Sequence, residues 1–452
     1  MQALTIINNI ILIIFLICYS YQFVYIPITW YYRMRSHHRM NSDNIAARPT
    51  SEPSAVHTNN TTPLAQDSHI TYHNSYAIMI CARNEEAVIG DLIDSIHRQT
   101  YPAELLHIYV MADNCNDHTA LIARQKGAVV YTRTNTELVG KGYAMEELMK
   151  DIRIDHPEGY DGYFVFDADN ILAEDYMEQM DHKFAEGHDI ITSYRNSKNY
   201  GDNWISAGYG LYFMRENRYL NDTRDHLGIS CTVSGTGYMF SRRIADSIDG
   251  WPFHTLTEDL EFTADQIVQG QRIAFCDDAV FYDEQPTSFR QSWNQRMRWA
   301  KGYLQVAHKY GRDLIRNALR GSFSAFDMAM SIMPAFFLTI FSIVCNLLMI
   351  IIGIYHGDSL TIALTSLAYL IGETYITLFF VGAMVILSEW KRIHTTSFKK
   401  ILYGFTFPIF MFTYIPIAFV SLFAKPEWKP IRHTRSAKQL EHGTYEILRK
   451  VS

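Results

Sequence analysis

Paired cysteines are missing from this sequence, which argues against a disulfide-stabilised protein. The 452 residues include only six cysteines, and no two of them form a C-x-x-C pair. Scattered cysteines also argue against a zinc site and suit a reducing cytosol. An excess of positive charge is missing as well. The formal net charge is −7, so we expect no nucleic-acid partner.

Charged side chains are absent from residues 1–32. This uncharged run exceeds the roughly 20 residues that cross a bilayer. It lacks the basic start and the small-residue cleavage site of a signal peptide, so it predicts an uncleaved transmembrane anchor. Arg33, Arg35 and Arg39 follow it, and positive charge marks the cytoplasmic side of a membrane. The chain after residue 33 is therefore expected to begin in the cytoplasm.

Composition divides the remaining chain into four parts. Residues 33–70 are rich in Ser, Thr, Asn, His and Pro and predict a flexible linker. Residues 71–322 predict a cytosolic domain, and residues 323–424 predict a C-terminal transmembrane region. Residues 425–452 form a basic tail.

The C-terminal region contains about three apolar segments, at residues 328–355, 360–388 and 401–424. Pro408 and Pro416 interrupt the last segment, so it either crosses the membrane or re-enters it. Three C-terminal crossings after one N-terminal crossing would put the tail outside, whereas its basic charge favours the cytoplasm. The side of the tail stays open. The pattern predicts a multi-pass protein of the cell membrane.

Strand patterns alternate with amphipathic helix patterns in the cytosolic domain. The strands are predicted at residues 76–82, 106–112, 128–132, 163–167 and 189–194, and the helices at 85–98, 117–126, 142–154 and 173–186. Such alternation predicts an α/β fold with a mostly parallel sheet and helices on both faces.

Two carboxylates follow the most apolar of these strands. The run from Tyr163 to Phe166 continues into Asp167 and Asp169. Ligands of open α/β sheets bind beyond the carboxyl ends of the strands. Two clustered carboxylates suit a divalent cation that also binds a diphosphate. A polar turn with Asx-type hydrogen bonds from Asp167 and Asn170 explains these residues equally well on their own.

Polar residues near the other strand ends would gather at the same edge of the sheet. Glu85 follows the first strand and Asp113 the second, while Lys141 opens a helix between Gly140 and Gly142. A helix N-terminus with a glycine-flanked lysine favours an anion. Asp113 can accept hydrogen bonds from a base or a ribose. With the aspartate pair, these residues predict a nucleotide-diphosphate pocket with Mg²⁺ or Mn²⁺.

Two motifs farther along the chain extend this pocket. Thr257 precedes Glu258 and Asp259 and is predicted to cap the helix that these acids open. A Q-x-x-R-W motif ends in Arg298 and Trp299 on a helix that leads into the apolar region. An arginine can clamp a diphosphate, and a tryptophan can stack on a sugar or a base. A membrane-interface Arg–Trp pair is the alternative interpretation.

In this order, the motifs resemble the D, D-x-D, T-E-D and Q-x-x-R-W signature of membrane-bound family-2 glycosyltransferases. That family includes the synthases of cellulose, chitin, hyaluronan and poly-N-acetylglucosamine. The resemblance covers about residues 76–305 and implies a GT-A-like fold. It also implies an inverting, metal-dependent hexosyltransferase with a cytoplasmic active site. Such an enzyme would move a sugar from a nucleotide-diphosphate sugar, above all a UDP-sugar, to a growing polysaccharide.

The resemblance further implies roles for individual residues. The catalytic pair would be Asp259, as general base, and Glu258. The donor would contact Glu85, Asp113, Lys141, Asp167 and Arg298, and the metal would be held by Asp169 and Asp167. The acceptor would contact Ser234, Gly235, Thr236, Gln295 and Trp299.

Three other functions compete with polysaccharide synthesis. A related enzyme would add one sugar to a lipid-linked acceptor and stop. A catalytically inactive membrane scaffold would not need the intact acidic motifs. A metal-dependent nucleotidyltransferase would share the nucleotide pocket but would not need the Q-x-x-R-W motif. The expected partners are a nucleotide sugar, a carbohydrate or lipid-linked acceptor, and membrane lipids. No motif identifies the sugar.

Overall fold

The computed structural model describes residues 18–35, 72–333 and 360–424, together with single positions between residues 6 and 17 and between 341 and 355. The predicted linker beyond residue 35, most of the first C-terminal segment and the basic tail lie outside the described residues. The cysteines are free thiols, in agreement with the prediction that no disulfide framework exists.

Eight strands form one mixed sheet. They are β1 Tyr76–Ala82, β2 Leu106–Asp113, β3 Val129–Arg133, β4 Gly162–Asp167, β5 Ile171–Leu172, β6 Ile190–Ser197, β7 Tyr238–Ser241 and β8 Ile273–Asp283. Their order is β3-β2-β1-β4-β7-β6-β8-β5. The strands β1 to β4 pair in parallel, and so do β6 and β8, whereas β7 is antiparallel to both of its neighbours. The predicted α/β fold is confirmed.

Helices cover both faces of this sheet. Some of the helices pack on other helices instead of on the sheet. In chain order, the helices up to residue 332 are α1 at residues 18–35, α2 Ile89–His97, α3 Thr119–Gln125, α4 Lys141–Asp155, α5 Tyr176–Ala185, α6 Trp204–Arg215, α7 Asp222–His226, α8 Arg242–Ser247, α9 Glu258–Val268, α10 Phe289–Leu319 and α11 Phe323–Ile332. A π-helical segment, Glu216–Asn221, joins α6 to α7.

The central strands are apolar on both sides because the sheet lies between two core layers. In β1, Ile78 and Ile80 pack into one cluster with α2, while Ala77 and Met79 pack into the other with α4. Full burial of such side chains contributes about 1.5–3 kcal/mol each. This packing makes the sheet a rigid support for the loops at its carboxyl edge.

Three apolar helices follow, namely α12 Leu360–Ser388, α13 Ser397–Phe412 and α14 Tyr414–Phe423. The stretches Ile371–Ser388 and Ser397–Phe423 are long and apolar enough to cross a membrane. Thr413, which lies between Pro408 and Pro416, separates α13 from α14. The predicted interruption of the last segment is therefore present.

The helix α1 contains the part of the predicted anchor that the structure describes. It packs against the α/β domain, where Tyr25 donates to Asp327 Oδ1 at 3.3 Å. Its Thr29 hydroxyl lies 2.5 Å from that of Thr223. Tyr25 and Thr29 are both buried. These residues contact protein, and a membrane crossing by the N-terminal run stays a prediction.

Candidate active site

One cleft at the carboxyl ends of β1, β2 and β4 brings the predicted motifs together. Twelve of the thirteen predicted site residues line it: Glu85, Asp113, Lys141, Asp167, Asp169, Ser234, Gly235, Glu258, Asp259, Gln295, Arg298 and Trp299. The thirteenth, Thr236, is 1% exposed and does not line the cleft.

Asp113 is held in place by an arginine that the sequence analysis did not identify. Arg133 stands opposite it on β3 and donates from Nη1 to Asp113 Oδ1 at 2.7 Å. Asn114, with a φ of 52°, turns the chain after β2 and donates to the same oxygen at 2.9 Å. Asparagine tolerates this left-handed conformation better than most residues. Both bonds use Oδ1, which leaves Oδ2 to meet a ligand.

Lys141 begins α4 and points to the aspartate motif. Its Nζ donates to Asp167 Oδ1 at 2.5 Å and to Gly235 O at 2.6 Å. Burial alone would lower the pKa of this ammonium, but the charges of Asp167 and Glu258 outweigh burial and raise the pKa of Lys141. The lysine therefore stays positively charged beside Asp167.

The start of α4 also depends on a close approach of two backbones. A Cβ atom at Gly142 would lie 2.1 Å from Phe253 O. Only glycine allows this contact without a shift. The loop before Glu258 is thereby packed on the helix that carries Lys141.

Thr236 supports the aspartate motif from behind and does not face the acceptor. The Asp167 amide donates to Thr236 Oγ1 at 2.9 Å and to Asn170 Oδ1 at 3.2 Å. The Thr236 hydroxyl donates in turn to Asn170 Oδ1. The acceptor contact predicted for Thr236 is therefore not supported by its position. Asn170 thus accepts from a residue three positions earlier in the chain, which differs from the Asx turn of the alternative interpretation.

Asp169 is only 4% exposed but lines the cleft. Its Oδ2 accepts a hydrogen bond from the Glu284 amide at 2.9 Å, and the Lys198 ammonium donates to its backbone carbonyl. Among the described residues, no group of three or more His, Cys, Asp or Glu side chains could hold a metal ion. Asp167 and Asp169 supply hard oxygen ligands for Mg²⁺ or Mn²⁺, and phosphate oxygens of a substrate would complete the shell. The donor set thus fits the predicted cation.

Glu258 and Asp259 open α9 and line the cleft. Burial and the neighbouring Asp259 charge raise the pKa of Glu258 to about 7. Burial also raises the pKa of Asp259. Lys141 and Arg298 oppose both shifts. Two neighbouring buried carboxyls resist double ionisation, a setting that suits proton transfer.

Thr257 does not cap α9, contrary to the prediction. Its side chain accepts no bond from the helix, and its Oγ1 is buried without a partner among the described residues. It packs instead against α10, where a Cβ atom at Gly302 would lie 2.3 Å from Thr257 Oγ1. Contact with α10 rather than capping therefore positions the T-E-D segment.

The helix α10 carries Gln295, Arg298 and Trp299 along the cleft. Arg298 makes no hydrogen bond or ion pair with the part of the chain that the structure describes. The Gln295 Oε1 atom is buried and also has no partner there. Trp299 packs edge-on against Tyr209 and Phe213, at centroid distances of 5.7 and 6.1 Å. Arg298 and Gln295 thus keep polar groups available for a ligand.

Arg296, inside the same motif, is anchored among the apolar helices. It is 0% exposed and donates from Nη1 to Thr413 Oγ1 at 2.6 Å and to Phe410 O at 3.2 Å. Its guanidinium lies 4.4 Å from the Phe410 ring and 4.7 Å from the Tyr414 ring. The bonds end at the interruption between α13 and α14, so Arg296 ties the motif helix to the apolar helices.

Five charged residues of the cleft were not among the predicted site residues, namely Arg83, Arg195, Glu216, Asp283 and Glu284. Arg195 donates from Nε to Asp283 Oδ2 at 2.8 Å and from Nη1 to Ser234 O at 2.7 Å. Arg195 directly follows the strand predicted at 189–194, so the rule that identified Asp113 would have found it. Glu216 and Asp283 carry no comparable local signal.

A sequence model of the family described as "Glycosyltransferase like family 2" matches residues 73–302. The beta-monoglucosyldiacylglycerol synthase of Synechocystis is 26% identical over 255 residues, which are 55% of this chain and 52% of that enzyme. The probable glycosyltransferase YdaM of Bacillus subtilis is 23% identical over 337 residues, covering 70% and 74%. The chain thus matches only about half the length of the Synechocystis relative.

Among solved structures, the chain is similar to the mannosyltransferase PcManGT from Pyrobaculum calidifontis, which was solved with GDP-Man and Mn²⁺. The TM-score is 0.49 at 17% identity, over 78% of this chain and 88% of that one. The family match spans 230 of 452 residues, just over half of the chain. The chain is therefore a member of the glycosyltransferase like family 2.

Proposed function

We propose that this chain transfers a sugar from a nucleotide-diphosphate sugar, above all a UDP-sugar, to an acceptor hydroxyl with inversion. One observation carries the proposal. Lys141, Asp167 and Asp169 share one cleft with Asp259 and with Arg298, which has no hydrogen bond or ion pair among the described residues. A transferase needs both a donor site and a proton acceptor in one cleft, whereas a scaffold needs neither.

The donor would lie along the carboxyl edge of the sheet. Asp113 Oδ2 would accept a hydrogen bond from the base or ribose, with Glu85 nearby. Lys141 and Arg298 would bind the diphosphate, and a guanidinium can do so with two parallel hydrogen bonds. Asp167 and Asp169 would hold Mg²⁺ or Mn²⁺, which supplies positive charge to the leaving diphosphate.

Asp259 would act as the general base. It takes the proton of the acceptor hydroxyl while that oxygen forms a bond to the anomeric carbon. The bond from this carbon to the phosphate oxygen breaks, and the nucleoside diphosphate leaves with the electron pair. Attack from the opposite face inverts the anomeric centre. Positioned general bases contribute roughly 10²–10⁴ in rate, and Lys141 and Arg298 would stabilise the leaving charge.

Two acceptors suit the aromatic wall of the cleft. Tyr212, Phe213, Trp299 and Tyr303 line it, and aromatic rings stack well on sugars. This lining, together with the motif resemblance, supports extension of a polysaccharide. The same wall continues towards the apolar helices, since Tyr212 stacks on Tyr414 at 6.4 Å. This continuity, together with the relative named beta-monoglucosyldiacylglycerol synthase, supports single addition to a membrane lipid as the second candidate.

The membrane location belongs to the same proposal. Two described apolar stretches are long enough to cross a bilayer, and Arg296 ties one of them to the cleft. Nucleotide sugars are cytosolic, so the cleft would face the cytoplasm. A lipid-anchored or membrane-exported acceptor would then reach the cleft from the side of the apolar helices.

The test uses the full chain in membranes with labelled UDP-glucose, UDP-N-acetylglucosamine, UDP-galactose and GDP-mannose. We expect one donor to give product that depends on Mg²⁺ or Mn²⁺ and is lost in Asp259→Asn. A long water-soluble product would support polysaccharide synthesis, and a singly glycosylated lipid would support the second candidate. Equal product from the Asp259→Asn variant, or no transfer from any donor, would overturn the proposal.

A further inference from the structure

The end of the cleft near α6 is lined by an arginine that other protein groups already hold. Arg195 is the cation at this end among the lining residues, and Asp283 neutralises it through Nε and Nη2. Its guanidinium carbon also lies 3.7 Å from the Phe213 ring centroid, and its Nη1 is bonded to Ser234 O. Protein groups thus contact all three nitrogens of this guanidinium and one of its two faces.

A second charged group, the carboxyl of Glu216, stands at the same end. Glu216 begins the π-helical segment after α6 and lines the cleft between Tyr212 and Ser234. It accepts one hydrogen bond, from Ser234 Oγ to Oε1 at 3.1 Å, and forms no ion pair within the part of the chain that the structure describes. Burial raises the pKa of this carboxyl and outweighs the charges of Arg224, Arg195 and Arg215, which oppose the shift.

This end of the cleft adjoins the reacting groups. Ser234 is followed by Gly235, whose carbonyl accepts a bond from Lys141. A Cβ atom at Gly235 would lie 3.6 Å from Asp259 Oδ2. A molecule held by Glu216 and Ser234 would therefore reach the general base, whereas the nucleotide would lie towards Asp113 on the other side of Asp167.

We propose that Glu216 and Ser234 form an acceptor subsite that selects an uncharged, hydroxyl-bearing head group and excludes a phosphate-bearing one. The subsite rests on the proposed function, because it presumes that this end of the cleft holds the acceptor. A carboxyl and a hydroxyl satisfy the O–H groups of a glycerol or a sugar by hydrogen bonds. A phosphate placed there would meet a like charge, and Arg195, the cation that lines this end, is already paired with Asp283.

The subsite makes a prediction about matched lipids. Dioleoylglycerol and dioleoylphosphatidate share their acyl chains and differ only in the head group. Full-length protein in uncharged nanodiscs should bind dioleoylglycerol at least about tenfold more tightly, since tenfold corresponds to about 1.4 kcal/mol. Binding is measured by native mass spectrometry, and the same samples are titrated with UDP and Mn²⁺ to report on the donor site separately.

Three variants distinguish selection of the head group by Glu216 from a purely structural role of this residue. Glu216→Gln keeps the hydrogen-bonding shape but removes the charge, so it should reduce the preference to less than about threefold by improving phosphatidate binding. Glu216→Ala should weaken binding of dioleoylglycerol itself. Glu146→Gln, which alters an exposed carboxyl outside the cleft, should leave the preference as in the wild type.

The outcomes are distinguishable. An unchanged preference in Glu216→Gln, or tighter binding of phosphatidate by the wild type, would overturn the subsite even when UDP binds normally. Failure of the wild type to bind UDP with either metal would overturn the proposed function instead. A gain of phosphatidate binding cannot come from misfolding, so Glu216→Gln tests the role of the charge directly.

Discussion

Arg133 and Asp113 form a buried ion pair between the neighbouring strands β3 and β2. The Arg133 Nη1 to Asp113 Oδ1 distance is 2.7 Å, and the two side chains are 3% and 5% exposed. Arg133 also binds Glu147 Oε2 at 2.9 Å. Asp113 therefore presents its free oxygen in one fixed orientation, which lowers the entropy lost when a ligand binds.

Arg133→Lys should weaken donor binding. Lysine keeps the charge but cannot bond Asp113 and Glu147 from one planar group. We expect the affinity for UDP, measured by calorimetry with Mn²⁺ present, to fall roughly tenfold, which corresponds to about 1.4 kcal/mol. The control is Arg243→Lys, because Arg243 pairs with Asp189 at a largely exposed site. Similar UDP affinities in both variants would contradict the positioning role.

Glu258→Gln should change the dependence of stability on pH. The folded-state pKa of Glu258 is raised to about 7, so its contribution to stability is complete below its usual pKa and is lost as pH rises through about 7. At pH 8 the glutamine variant should therefore melt at a higher temperature than the wild type. Its free energy of unfolding should be higher by up to about 3 kcal/mol. At pH 4.5 the two should agree. If the difference in melting temperature between the variant and the wild type is the same at pH 4.5 and pH 8, the pKa shift of Glu258 is refuted.

Asp169→Asn should abolish metal-dependent binding of UDP. Asparagine can still accept the hydrogen bond from the Glu284 amide, so the loop should keep its shape while the metal loses a charged ligand. The measurement is a UDP titration with and without Mn²⁺, and circular dichroism checks the fold. If Mn²⁺ still strengthens UDP binding in the variant as it does in the wild type, the assignment of Asp169 fails.

Arg298→Lys should lower turnover, whereas Arg296→Lys should lower stability. Arg298 has no protein partner among the described residues, so its replacement should lower turnover strongly and leave the melting temperature unchanged. Arg296 is buried against Thr413 and two aromatic rings, so its replacement should lower stability by roughly 3 kcal/mol or more. Thermal melting and steady-state kinetics are compared for the pair. Equal melting temperatures with equal turnover would contradict both assignments.

Gly302→Ala should impair transfer through the T-E-D segment. The new Cβ atom would collide with Thr257, one residue before Glu258, and push the two acids out of place. Turnover should fall at least about tenfold while UDP binding changes less. Gly372→Ala is the matched control, because no atom of the described residues lies within 4 Å of a Cβ atom at that helical glycine. Normal turnover in Gly302→Ala would show that the segment accommodates the methyl group.

The sequence by itself was sufficient for the local elements and for the order of the motifs. The first strand was predicted at residues 76–82, and β1 has these bounds. The acids after β4 and at the start of α9 also lie where the pattern placed them. Hydrophobic periodicity reports which face of an element is buried, and this depends on neighbours in the chain.

The supports of the site were decided by tertiary structure alone. Arg195 reaches Asp283 because β6 lies in parallel beside β8, and the two residues are 88 positions apart. Gly302 is a glycine because α10 crosses Thr257, and Arg296 is buried because α13 ends at Thr413. These contacts depend on sheet order and helix crossing. Local pattern does not encode either one, because each follows from the packing of elements that lie far apart in the chain.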